Sequence, residues 1–345
     1  MVARLNSLVI AALLVMLAIV PPAAAQSVAE FYHGKTITCY IGYGAGGGYD
    51  LFARTISRHL SKHIPGNPIV LPVNMPGASS MILGNFLARR APQDGTAFGA
   101  VNSALVFDTL FAGSESKAQF QGPEMTMIGN AVTSASVLIA WHTSGVKSLE
   151  DLREKPLIIG ATARSGDTYL LPLAVKNVLK LDKLKIITGY PGTREAAIAL
   201  ERGEITGREW DMEGIKAGRP QWLTDGSINI LAQLAPKKMP EVPASVPLVK
   251  DYVTSEDDKK VLDVIFMSTI LARPYIAPPN IPADRVKALR DGFMSTMKDP
   301  EFVAEINKMQ LTVDPTSGED MEKIVRDAYA LPDDLIQKVR KALAD

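Results

Sequence analysis

The sequence predicts an α/β protein of two units, each a mostly parallel sheet flanked by helices. Three observations carry this. Extended apolar runs alternate with helix-patterned segments in two separate sets, the pattern of doubly wound parallel sheets. Several of these strands enter their helices through glycine-containing turns. About 320 residues remain after a removable leader, enough for about two domains.

The leader is MVARLNSLVIAALLVMLAIVPPAAA, residues 1–25. It carries one charge, Arg4, then an apolar stretch over 8–20 and small residues Ala23-Ala24-Ala25. That layout is a secretory signal peptide cleaved at about Ala25, before Gln26, and it predicts export. The apolar stretch falls short of the roughly 20 residues that span a bilayer. No cysteine directly follows the cleavage point, which argues against a lipid anchor.

With 47% hydrophobic and 21% charged residues, the chain has ample material for a core. The 37 basic and 37 acidic residues cancel, and loss of Arg4 leaves about −1, so no nucleic-acid surface is expected. Cys39 is the only cysteine, which excludes an intrachain disulfide, and its apolar surroundings predict a buried small hydrophobe.

In the first set, 36–43 reads as a strand, and 50–63 as a helix with Leu51, Ile56 and Leu60 on one face. IVLPVN (69–74) is extended, 79–90 is helical up to the stop APQDGT, and 97–101 is a third strand. The second set begins with SVLIAWH (136–142), then SLEDLREK, a short helix with Ser148 and Asp151 placed as a capping box. PLIIGAT (156–162) leads through ARSGDT into a helix ending near Lys180. KLKIITGY leads through PGT into a helix over 194–202, stopped by Gly203. Residues 132–235 are therefore expected to form the second unit. The proline-rich PKKMPEVPASVP (236–247) reads as a connection. FMSTILARPYIAPPNIP reads as a strand and turn, followed by amphipathic helices from Ala283. These strands are too few for a third sheet, so 236–345 is expected to complete the first unit with 26–131, the chain crossing twice.

The segment YIGYGAGGGYDLFART (40–55) places five glycines in seven positions. Gly42, Gly44 and Gly47 match G-x-G-x-x-G between strand and helix, but a dinucleotide site needs an acid at the end of the second strand. Asn74 stands there, and export removes the protein from free nicotinamide cofactors. No Gly-Lys-Ser/Thr follows for a phosphate cradle. His59 and His63 have the i, i+4 spacing of metal ligands, yet no third ligand is apparent; near a helix C-terminus they read as surface residues. No G-x-S-x-G elbow occurs. No catalytic residue, metal or cofactor is expected. Bare amides at a helix start do suit an anion, and Gly46, Gly47 and Gly48 with Gly77-Ala78-Ser79-Ser80 supply two such loops.

YIGYGAGGGYDLFARTISRHL, NMPGASSMILGNFLARRAPQDGT, LAPKKMPEVPASVPLVKDY and IAPPNIPADRVKAL, in this order, resemble the exported substrate-binding receptors of tripartite tricarboxylate transporters, the Bug-type solute receptors. The resemblance covers about 28–315. It implies a type II periplasmic binding protein, a two-lobed Venus flytrap that closes around two crossover strands. It implies a monomeric, periplasmic receptor without catalytic activity, which hands a di- or tricarboxylate, an acidic amino acid or an aromatic acid to membrane permease subunits.

Carried over residue by residue, the resemblance implies a ligand site at Gly46, Gly47, Gly48 and Asp50, and at Asn74, Pro76, Gly77 and Ala78. In the second lobe it implies Ser165, Gly166, Asp167 and Thr168, then Tyr190, Gly192 and Thr193; Ser103 after the third strand joins them. Asp50 suits pinning the loop better than touching an anion. Ser79 and Ser80 stand where the family usually has glycine, and their hydroxyls are expected at the ligand. GREWDMEG (207–214) reads as a solvated acidic loop; were it to face the cleft, Glu209, Asp211 and Glu213 would favour an amine on the ligand. An exported enzyme acting on a similar acid, or a sensor-associated binding module, remains an alternative to a transport receptor.

Overall fold

Thr36–Ile41 (β1) buries every second side chain, and Ile37, Cys39 and Ile41 pack under the helix that follows. The structure, a computed structural model, describes residues 26–345, so the expected signal peptide lies outside the described residues. Val28–Tyr32 (α1) starts at a Ser27–Glu30 capping box. Gly48–Leu60 (α2) then buries Phe52, Ile56 and Leu60 against the sheet. Ile69–Asn74 (β2) and Ala97–Ala100 (β3) flank β1 in parallel, with Thr36 opposite Ile69 and Thr38 opposite Ala97. Met81–Arg89 (α3) and Asp108–Ala112 (α4) lie between these strands and Thr126–Asn130 (β4).

The chain leaves this sheet at β4 and enters a second one at Ser136–Trp141 (β5). Leu157–Ala161 (β6), Asp167–Leu179 (α5), Leu184–Thr188 (β7), Thr193–Glu201 (α6) and Gly207–Asp211 (β8) follow, then Met212–Gly218 (α7) and Ile228–Leu234 (β9). The second sheet has the order β7-β6-β8-β5-β9. Glu256–Ile270 (α8) packs on α5, and Pro274–Ala277 (β10) returns to the first sheet. Thr316–Ser317 (β11) completes the first sheet, in the order β11-β4-β10-β3-β1-β2.

Both sheets are mixed rather than mostly parallel. β10 runs antiparallel between β3 and β4, and β5 runs antiparallel to β8 and β9, because the chain reverses where it changes sheet. Two local readings also change. SLEDLREK forms only a 3-10 turn, Glu150–Arg153, although the capping contacts between Ser148 and Asp151 are present. In FMSTILARPYIAPPNIP the strand is confined to Pro274–Ala277, since 266–270 ends α8; Ser255 caps that helix, with Glu256, Asp257 and Asp258 in its first turn.

Ala283–Met297 (α9) and Pro300–Lys308 (α10) pack against α2. Gly318–Tyr329 (α11) covers β4, and Asp333–Ala342 (α12) reaches α4, α5 and α8. Cys39 is fully buried, which pushes its thiol up to about 12. Among the described residues no helix is long and apolar enough to cross a membrane.

Candidate functional site

The glycine loop is fixed from within. Gly46 has φ +86°, open to glycine, and its N–H donates to Asp50 Oδ2 at 2.9 Å. Asp50 Oδ1 accepts from Arg54 Nε at 2.9 Å and Asn74 Nδ2 at 2.8 Å. Asn74 also donates to the Tyr43 carbonyl at 2.9 Å and accepts from Arg54 at 2.6 Å. Burial pushes the Asp50 carboxyl up, but Arg54, the Gly46 amide and Asn74 outweigh it and hold it below the usual range. Asp50 and Asn74 thus turn their polar atoms to the loop instead of the cleft.

Three helix N-termini meet where the lobes touch. Gly47, Gly166 and Gly192 are the N-caps of α2, α5 and α6, all in extended backbone and none with a side-chain cap. The first-turn amides of these helices point their partial positive charge into the seam. A Cβ on Gly47 would lie 3.1 Å from Thr193 Oγ1, and one on Gly46 3.6 Å from Arg194. Tyr43, Gly44, Gly47 and Tyr49 enclose, with Gly192 and Thr193, a cavity of about 10 Å³, room for about one water. The cleft is shut.

The second loop is the more strained. Gly77, Ala78, Ser79 and Ser80 have φ of +139°, +46°, +50° and +71°, so the two serines occupy backbone that favours glycine. Each non-glycine residue there costs about 1–2 kcal/mol. Local contacts hold the turn. Ser80, fully buried, accepts from the Asn102 N–H at 3.0 Å and donates to the Gly42 carbonyl at 3.3 Å. Ser79 Oγ lies 2.8 Å from Thr162 Oγ1 across the seam, and Ser165 Oγ donates to the Ala78 carbonyl at 3.2 Å. Ser80, expected at the ligand, is therefore a brace between loops, while Ser79 joins the lobes. Pro76 precedes this turn.

Asp167 bonds across the seam twice. Its carboxylate accepts from Asn102 Nδ2 at 2.8 Å and Ser103 Oγ at 2.8 Å, both from the first lobe. Burial raises its pKa despite these bonds. Thr168, nearly buried, accepts from the Thr162 N–H at 3.1 Å and supports the loop. Tyr190 sets its ring against Gly160, and the Thr193 carbonyl accepts from Arg208.

Sequence reasoning missed the arginines. Arg273, at the start of β10 and 2% exposed, lies against Gly48 and 4.4 Å over the Tyr49 ring, and donates to Asp211 at 2.8 Å. Burial alone would lower its pKa; Asp211 and Tyr49 raise it above the ordinary value. The anion-favouring loop is thus backed by a guanidinium. GREWDMEG is no solvated loop: it begins as β8, inside the second sheet, with Arg208, Glu209 and Trp210 all buried. Its charges are tolerated because partners from distant segments meet them, as Glu213 accepts from the Thr312 N–H at 2.8 Å. Tyr43 and Tyr49, stacked at 4.5 Å, add an aromatic wall.

His59 and His63 pair with Glu305 at 2.8 Å and Asp299 at 2.7 Å on α10, so the fold supplies acids that the sequence did not reveal. Glu301 also lies beside His59 and Asp299. The Lys62 ammonium bonds Asp299 at 2.7 Å and Glu301 at 2.5 Å, making the group an ion-pair network between helices.

Neither a family model nor a curated protein matches the sequence. Solved structures do match its fold. The periplasmic binding protein BugD has a TM-score of 0.70 at 16% identity, covering 90% of this chain and 98% of its own. MatC from Rhodopseudomonas palustris, with bound malate, gives 0.67 at 16%, covering 90% and 99%. A second R. palustris protein, with adipate, gives 0.66 at 19%, covering 90% and 97%. At these identities the likeness is one of fold: this chain has the two-lobed α/β fold of periplasmic binding proteins.

Proposed function

We propose that the protein is an exported solute receptor of the Bug type. It binds a small organic carboxylate between its lobes and delivers it to the membrane subunits of a tripartite tricarboxylate-type transporter. The observation that carries this reading is the meeting of three uncapped helix N-termini, those of α2, α5 and α6, at the seam between the lobes. Oriented amides there favour a carboxylate, and Arg273, paired with Asp211, stands behind Gly48. The four-motif resemblance, the leader over 1–25, and the malate and adipate held by two proteins of similar fold support the same conclusion.

In this reading the lobes are 26–131 with 236–345, and 132–235. The ligand site comprises the Gly46–Gly48 amides, Gly77, Ala78 and Ser79, together with Ser103, Ser165, Gly166, Asp167, Thr168, Tyr190, Gly192 and Thr193. The cleft opens to admit the ligand and closes over it, shifting the population toward the form that the permease recognises. Binding is the whole of its activity; no chemistry follows.

A thermal-shift screen against dicarboxylates, tricarboxylates, amino acids and aromatic acids tests the reading. A ligand at 100 times its Kd stabilises the fold by about 2.7 kcal/mol. A melt that responds to a nucleotide and to no carboxylate would overturn it.

A further inference from the structure

The cavity at the seam has a buried floor and a charged rim. Tyr43, Tyr49 and Gly192 are buried at its floor, whereas Ala45, Arg194 and Glu195 are exposed at its rim. Arg194 is the second residue of α6, in the second lobe, and its side chain crosses to the first. Its Nη1 lies 3.6 Å, and its Cδ 4.0 Å, from where a Cβ on Gly46 would stand. Gly46 directly precedes the N-cap of α2, so the guanidinium stands beside the amides that open that helix. Other arginines around the seam are engaged: Arg208 donates to the Thr193 carbonyl, Arg219 pairs with Glu201 and Arg273 with Asp211, whereas among the described residues no acid lies within ion-pair distance of Arg194. Glu195, its neighbour, folds back over the start of its own helix, with Oε2 2.8 Å from where a Cβ on Gly192 would stand. A carboxylate is favoured at that end of a helix. The cation at the rim is therefore left without a counter-ion.

We propose that Arg194 is the specificity-determining residue of the cleft, a clasp that pairs with a second carboxylate of the ligand and so selects a diacid over a monoacid of the same length and shape. One carboxylate of the ligand accepts from the amides that open α2. The other, at the rim, accepts from the Arg194 guanidinium, whose planar fork suits a carboxylate. The two groups face one ligand only when the lobes are shut, because Gly46 follows β1 in one sheet and Arg194 follows β7 in the other. A diacid enlarges the cavity, and the rim yields most readily, since an exposed arginine has no partner to release. The inference rests on the proposed receptor function and adds to it the residue that reads the ligand's far end.

Calorimetric titration gives affinities for succinate, glutarate and adipate, each matched to its own monoamide, which keeps length and shape but carries one negative charge fewer. In the wild type at least one diacid binds at least about tenfold tighter than its monoamide, the effect of about one hydrogen bond to a charged group. Arg194→Gln reduces that ratio to below about threefold. The melting temperature of the ligand-free variant stays at the wild-type value, because Arg194 has no partner to lose. The ratio within a pair is read, so that any general change in closure cancels. Diacids that bind the wild type no better than their monoamides overturn the inference, as does a ratio that survives Arg194→Gln. Binding of monoacids without binding of any diacid sinks this inference alone; binding of no acid of either kind sinks the receptor reading itself.

Discussion

Gly166→Ala offers the sharpest separation of closure from folding. Gly166 has φ −98° and ψ 157°, extended backbone that alanine adopts without strain. The new methyl would meet Ser79 of the other lobe, with Oγ at 2.2 Å and Cβ at 2.7 Å. Rotating the hydroxyl away does not help, since the serine Cβ is fixed by the backbone. Ordinary carbon contacts lie at about 3.5–4.0 Å, so the lobes must part by about 1 Å or more there. Four crossing bonds at 2.8–3.2 Å then fail: Ser79 to Thr162, Ser165 to Ala78, and Asn102 and Ser103 to Asp167. Neutral bonds contribute about 1 kcal/mol net and bonds to a carboxylate about 2, and they are not additive. About 3 kcal/mol of closure is lost, or about a hundredfold in affinity for the ligand found by the thermal screen. Unfolding free energy should stay within about 1 kcal/mol, because the open lobe accommodates the methyl and alanine restricts the unfolded chain. Calorimetric titration gives the affinity, and small-angle scattering gives the radius of gyration with and without ligand. A variant that stays compact and binds like the wild type would show that Ser79 and Gly166 do not meet when the cleft closes.

Three further outcomes follow from the same contacts. Asp167, bonded across the seam to Asn102 and Ser103, has its pKa raised by burial in the shut cleft, so the shut form retains a proton that a solvated carboxyl releases. Its support of closure is greatest below about pH 4 and is lost as pH rises through the raised value; scattering should show the ligand-free protein opening as pH rises above about 4, and Asp167→Asn should flatten that response. Arg273→Met leaves Asp211 without its 2.8 Å partner and should cost about 3 kcal/mol in urea unfolding, with Asp211→Asn restoring most of it; a loss below about 1 kcal/mol would remove the pair from the account. Ser79→Gly relieves left-handed backbone worth about 1–2 kcal/mol and removes the bond to Thr162 worth about 1. The melt should therefore hold or rise while affinity falls, and a fall in both would mean that the turn is not strained.

What was legible in the sequence depended on whether the signal was local. The alternation of β1, α2, β2 and β3 is written in short-range periodicity, and the five glycines announce a close backbone approach at the place where Gly47 meets Thr193. Where the strand in FMSTILARPYIAPPNIP begins was not legible, because an apolar run looks alike in a buried helix and a strand; the cap that places 266–270 in α8, Ser255, lies far upstream. GREWD misled for a different reason. A charged strand is expected at the surface because burying a charge is costly, and it can be buried only where partners arrive from elsewhere in the chain. Those partners are Arg273, which reaches Asp211 across the seam, and the Thr193 carbonyl, which holds Arg208. Neither is near β8 in sequence, so no spacing rule finds them. The same asymmetry divides the candidate site. Its backbone half, the amides after β1 and β6, follows from glycine placement, whereas the contacts of Arg273 with Asp211 and of Asp167 with Asn102 and Ser103 exist only once the lobes meet. An anion-favouring site was therefore readable from the loops alone. The side-chain contacts that could discriminate between acids, such as those Asp167 makes to Asn102 and Ser103, form only when the cleft is shut.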